Sequence, residues 1–148
     1  MKRLASILAV AFAALCISAC LPSQQGTATY SLMVTQTSRL VKASGDILTL
    51  AETLESGMNT IAFNHNRTWQ KDWEGEDEDS ALAYEDYIAK NSYLKAVEAV
   101  DSLINEIKAG IPPEGLHSGS FTLSYDVALY RGTTVLAKAT YNLSYSEK

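Results

Sequence analysis

The sequence predicts a two-layer α+β fold of order β-α-α-β-β, a small antiparallel sheet with a C-terminal hairpin packed by a helix pair. Three observations predict it. Ala28, Tyr30, Leu32 and Val34 alternate with Thr27, Thr29, Ser31 and Met33, the period of a half-buried strand. The apolar spacing then changes to three, four and seven, the period of a helix face. Two alternating segments close the chain on either side of Arg131-Gly132-Thr133.

The elements follow in order. Residues 27–34 form the first strand. A first helix beginning near Thr37 aligns Leu40, Ile47, Leu50, Leu54, Met58 and Ile61. Gly45 and Gly57 each cost it about 1 kcal/mol against alanine, so a strand hairpin through residues 43–46 is the alternative. Residues 69–79 form a polar connection, with Asp79 or Ser80 as N-cap and acids suited to the helix dipole. The second helix spans residues 80–108, with Leu82, Ile88, Leu94, Val97, Val100, Ile104 and Ile107 on one stripe and Asn91 among them. Gly110 suits its C-terminal cap, and Pro112-Pro113 forbids continuation.

Parity governs the closing hairpin. Phe121, Leu123, Tyr125, Val127 and Leu129 on one strand, and Val135, Ala137, Ala139, Tyr141, Leu143 and Tyr145 on the other, all carry odd numbers. They share a face only if paired numbers sum to an even value. A two-residue loop at Arg131-Gly132 places the two rows on opposite faces. A loop of three or five residues, pairing Val127 with Ala137 and Tyr125 with Ala139, is therefore expected, with Gly132 supplying unusual backbone angles.

The first twenty residues are a targeting segment. Lys2 and Arg3 precede an uncharged apolar run at 4–17, which is short for a membrane span and is set aside from the fold. Ile17-Ser18-Ala19-Cys20 resembles the lipobox of bacterial lipoproteins; Cys16 is a competitor, but Leu15 before it is large for a cleavage position. The resemblance is confined to this signal peptide. It implies cleavage before Cys20, a diacylglycerol on its thiol and an acyl chain such as palmitate on its amine. Leu21, where an aspartate would imply inner-membrane retention, implies the periplasmic face of a Gram-negative outer membrane.

Dropping the first 19 of 148 residues leaves a mature chain of 129. It keeps 10 of the 12 basic residues against 17 acids, a balance of −7. That disfavours nucleic acid and gives no attraction to an anionic surface. With Cys16 removed and Cys20 acylated, no disulfide and no cysteine metal ligand is expected, so an apolar core alone must hold the fold. The expected organisation is a signal at 1–19, a lipidated cysteine and tether at 20–26, and one domain at 27–148.

Candidate sites are few. Asp72, Glu74, Glu76, Asp77, Glu78 and Asp79 supply oxygen ligands for a cation, but the EF-hand spacing is absent, and the twelfth position from Asp72 is Ala83. Turn solvation and helix capping account for the run without metal. Trp69 and Trp73 flank it, four residues apart. Core capping is the favoured reading for them, beside a partner anchor and a seat at a lipid interface. His65 and His117 are the only histidines and read as loop residues. No G-x-S-x-G, H-E-x-x-H or Gly-rich phosphate loop is present. Tyr130 and Leu136 fall on the hairpin face opposite Tyr125, Tyr141 and Tyr145, and an unpaired sheet edge can accept a partner strand.

The function these readings imply is a non-enzymatic protein-binding or envelope-assembly lipoprotein without a cofactor. Trp69, Trp73, Tyr130, Leu136 and the acidic loop are its expected contact residues. A small-ligand or cation binder using residues 72–79 is the alternative, and an envelope-polymer hydrolase is a third.

Overall fold

Strand β1 (Gln25–Ala43), 19 residues long, is the axis of the fold. The computed structural model describes residues 25–147, so the lipobox, Cys16 and Cys20 lie outside the described residues. Helix α1 (Gly45–His65), strand β2 (Arg67–Glu74), helix α2 (Glu78–Ala109) and strands β3 (Gly119–Arg131) and β4 (Thr134–Ser146) complete it. The four strands form one antiparallel sheet in the order β2-β1-β3-β4, and both helices pack on one face. The expected α+β class and its order stand, with one further strand between the helices.

β1 begins two residues earlier than the expected strand and ends nine later. Its first part pairs with β2 from Gln25↔Glu74 to Leu32↔Arg67. Its longer second part pairs with β3 from Tyr30↔Arg131 to Ala43↔Gly119. The expected helix start at Thr37 is overturned by a β-bulge between Gln36 and Ser38. Before it even-numbered residues face the helices, as Gln36 opposite Tyr125 does. After it odd-numbered residues do, as Val41 opposite Phe121. That switch erases the alternation, and Leu40, read as part of a helix face, stands 54% exposed on the other side of the sheet.

β2 falls where a polar connection was expected. It is an edge strand whose inward positions are Trp69, Lys71 and Trp73, a row too short and too polar to read as period two. Beyond it, Asn66 extends the ladder by one side chain. Its Oδ1 accepts the Val34 N–H at 2.6 Å, and its Nδ2 donates to the Val34 carbonyl at 3.3 Å.

The helices owe their seating to small residues. In α1, Ile47, Ala51, Leu54, Met58 and Ile61 are buried. Gly57 does not break the helix: a Cβ there would lie 2.7 Å from the Leu103 methyls, so glycine is what lets α1 and α2 approach. In α2 the N-cap is Asp77, not Asp79 or Ser80. Its carboxylate accepts from the Ser80 N–H at 3.0 Å and the Ser80 hydroxyl at 2.8 Å. The buried face of α2 is Leu82, Ala89, Tyr93, Ala96 and Val100. It is rotated from the expected stripe because alanines allow the closest approach to the sheet, and Leu94 is left 52% exposed.

The hairpin keeps the expected shared face by another route. The turn is the two-residue Gly132-Thr133, with positive φ at Gly132 alone, the pattern of a type II′ turn. Arg131 pairs with Thr134 and Tyr130 with Val135. Leu136 then bulges, and Leu129 pairs with Ala137, Val127 with Ala139 and Tyr125 with Tyr141. The bulge restores parity that a two-residue turn would have lost.

Gly119 opens β3 at φ +120°, and a Cβ there would overlap the Lys42 carbonyl oxygen across the ladder. Gly119→Ala is expected to destabilise the fold by more than about 1 kcal/mol, read as a lower midpoint in thermal unfolding. An unchanged midpoint would contradict this seating of β3 on β1.

Candidate functional site

Trp69 is held on three sides. Its ring stacks on Tyr30 with centroids 5.2 Å apart and an interplanar angle of 13°. The Arg67 guanidinium lies 4.4 Å from its centroid, and its Nε1–H donates to Glu85 Oε1 at 2.7 Å. Beneath it, the Tyr30 hydroxyl donates to Asp86 Oδ1 at 2.6 Å, and Arg131 Nη1 donates to Asp86 Oδ2 at 2.8 Å. Arg131 also lies 3.7 Å from Asp79. Burial, reinforced by the Asp86 carboxylate, holds the Tyr30 phenol protonated far above its ordinary range. These contacts fasten the start of α2 to β1, β2 and β3.

Trp73 lies on the same sheet face as Trp69, since a separation of four is even on a strand. It is partly buried over Gly26, where a Cβ would overlap its ring. The first residue of β1, Gln25, sits at this corner.

The acidic residues divide by role. Asp72 accepts a hydrogen bond from the Thr27 hydroxyl on the helix-free face, Asp77 caps α2, and Asp79 reaches toward Arg131. The capping bonds from Ser80 hold the Asp77 carboxyl below the usual range. Among the described residues, no three His, Cys, Asp or Glu side chains gather where they could hold a metal ion. His65 ends α1, while the His117 N–H donates to Asp46 in the first turn of α1. At 1.5 Å per residue that separates the histidines by roughly 28 Å, so they form no catalytic pair. Tyr130 lies half-buried on the helix-free face, but the bulge turns Leu136 onto the core side rather than beside it.

A second feature had no signal in the sequence. Along β4 every inward side chain, Ala137, Ala139, Tyr141, Leu143 and Tyr145, is only half-covered, whereas those of β3 from Phe121 to Leu129 are buried. Beside residues 140–145 runs a cleft of about 600 Å³ walled by Leu50, Ile104, Ile107, Phe121, Tyr141 and Tyr145. Asp101 and Lys108 of α2 also line it. Burial, with Asp101 adding to it, pushes the Tyr141 phenol up to about 12. Leu94 and Tyr87, seven and fourteen residues before Asp101 and so on its side of α2, are exposed. Such a cleft offers an apolar trough and an unpaired backbone edge, which suits an extended or helical partner. No family model, no curated protein and no solved structure matches the chain.

Two outcomes follow from the polar network and the buried phenols. Asp86→Ala leaves the Tyr30 hydroxyl and Arg131 without their partner and is expected to cost about 2 to 3 kcal/mol. Chemical denaturation would read this loss, and Asp86→Asn should recover part of it. Tyr125 and Tyr141 are pushed up to about 12 chiefly by burial, and Tyr30 is raised further. A phenol whose folded value exceeds its unfolded value of about 10 adds stability that is full below pH ~10 and lost as pH rises to ~12. Tyrosinate absorbance should therefore rise together with loss of the far-ultraviolet circular dichroism over that window. A folded chain in which all eight tyrosines ionise with a midpoint near pH 10 would contradict it.

Proposed function

We propose that this protein is a lipid-anchored periplasmic lipoprotein of the outer membrane that works as a non-enzymatic protein-docking module. The observation that carries the docking role is the half-covered seam of β4 and α2, apolar surface that the fold itself leaves unused. The lipobox resemblance at Ile17-Ser18-Ala19-Cys20 supports the anchor. Cys20 precedes Gln25 by five positions, which span at most roughly 18 Å. Trp73 at that corner is suited to the depth of the lipid headgroups. Confinement to a surface raises the effective concentration of a partner, so a modest contact suffices. The separated histidines favour docking over hydrolysis.

Mass spectrometry of the membrane fraction tests the anchor. The wild-type chain is expected to begin at Cys20 and carry acyl mass there, and Cys20→Ser is expected to lose that mass. A wild-type chain without acyl mass overturns the anchor. A photo-crosslinking residue at Leu94, in intact cells, is expected to capture a protein neighbour. A folded but uncaptured protein overturns the docking role.

A further inference from the structure

We infer that β4 pairs antiparallel with β4 of a second copy about a two-fold axis at Thr140, joining two four-stranded sheets into one of eight strands. The inference rests on reading the seam as a docking surface and names its occupant.

The two edges of the sheet are built differently. β2 is eight residues long and carries Arg67, Lys71, Asp72 and Glu74, a short charged edge of the kind that discourages pairing. β4 is 13 residues long, without proline. Its one charge, Lys138, is neutralised by Asp126 at 2.9 Å, and its bulge lies at the turn end. Nothing along residues 137–146 guards that edge.

The edge is also complementary to itself. Antiparallel pairing about Thr140 sets Ala139 opposite the partner's Tyr141, and Ala137 opposite the partner's Leu143, on the inward face. On the outward face Lys138 meets the partner's Asn142. Small side chains oppose large ones, and no like charges meet. A two-fold contact must have this property, because the same patch supplies both sides.

The helix flank agrees. Tyr87, Leu94, Val97 and Ile104 follow spacings of seven, three and seven, which keep them on one side of α2. That side faces β4, since Asp101 and Ile104 on it line the cleft beside residues 140–145. Tyr87 is 63% and Leu94 52% exposed. The two-fold operation brings this flank, roughly 26 Å long at 1.5 Å per residue, toward its own copy. Pairing over residues 137–143, clear of the bulge at Leu136, is backed by this apolar flank, so the contact does not rest on the strand edge alone. β1 runs parallel to β4, so the two β1 starts lie at opposite ends of the joined sheet. Two anchored copies then sit with the axis along the membrane normal and the sheet parallel to the membrane.

Disulfide trapping of the full-length chain in its own envelope tests this. At the axis, Thr140→Cys brings two thiols within bridging distance, so mild oxidation is expected to yield a covalent dimer. Gln70→Cys, on the β2 edge, is expected to yield none. Leu94→Lys, an exposed change that keeps the circular dichroism and melting midpoint, is expected to reduce the Thr140→Cys dimer at least tenfold. Equal trapping from Gln70→Cys, or trapping indifferent to Leu94→Lys, overturns the inference. Absence of a Thr140→Cys dimer while the crosslinker at Leu94 captures a different protein overturns the second copy and leaves the docking role standing. Absence of both overturns the two together.

Discussion

Tyr30 stands where the sheet and α2 meet. It is fully buried, pairs with Trp69 on β2 and with Arg131 on β3, and gives its hydroxyl to Asp86 on α2. Only residues 30–32 of β1 have a partner strand on both sides, so the two halves of the sheet are joined across three residues. The stacked Trp69 and the shared Asp86 carboxylate brace that narrow junction. A buried phenol must hydrogen-bond, which Asp86 satisfies, and a carboxylate so placed must have a cation, which Arg131 supplies. The position of α2, and hence of everything it covers or leaves open, depends on this fastening.

Because α2 is pinned at its start near β2, it crosses the sheet toward β4 and contacts all four strands. It covers β1 and β3 well and β4 partly. The half-covered side chains of β4 and the cleft beside residues 140–145 result from that crossing. Glycine and alanine decide how closely the layers approach, Gly57 between the helices and Ala89 and Ala96 against the sheet. The large apolar residues of α2 that the eye picks first, Leu94 above all, are displaced to the flank. That leaves a surplus of apolar flank beside an unguarded strand edge, the observation on which the proposed docking role rests.

The candidate site was legible in the sequence in its residue types and not in its arrangement. Trp69 and Trp73 drew attention as aromatics beside acids, yet the structure engages Trp69 with Tyr30, Arg67 and Glu85, partners that lie two residues away or in distant elements. The acidic run included the cap of α2, but Asp77 outranked Asp79 and Ser80 because its carboxylate reaches Ser80 three residues on. The seam left no mark in the sequence, because exposure belongs to what a residue's neighbours fail to cover.

The sequence by itself determined the α+β class, the strand character of residues 27–34 and of both closing segments, the second helix, and the shared inward face of the hairpin. Each rests on a period or a stop signal carried within one segment. Only the tertiary structure decided the length of β1, the existence of β2, the buried face of α2 and the register of the hairpin. The physical reason is the same in each case. One unpaired residue at Thr37 or Leu136 reverses which face is inward, an edge strand buries too little to need a pattern, and a helix is turned by the shape of what it packs against.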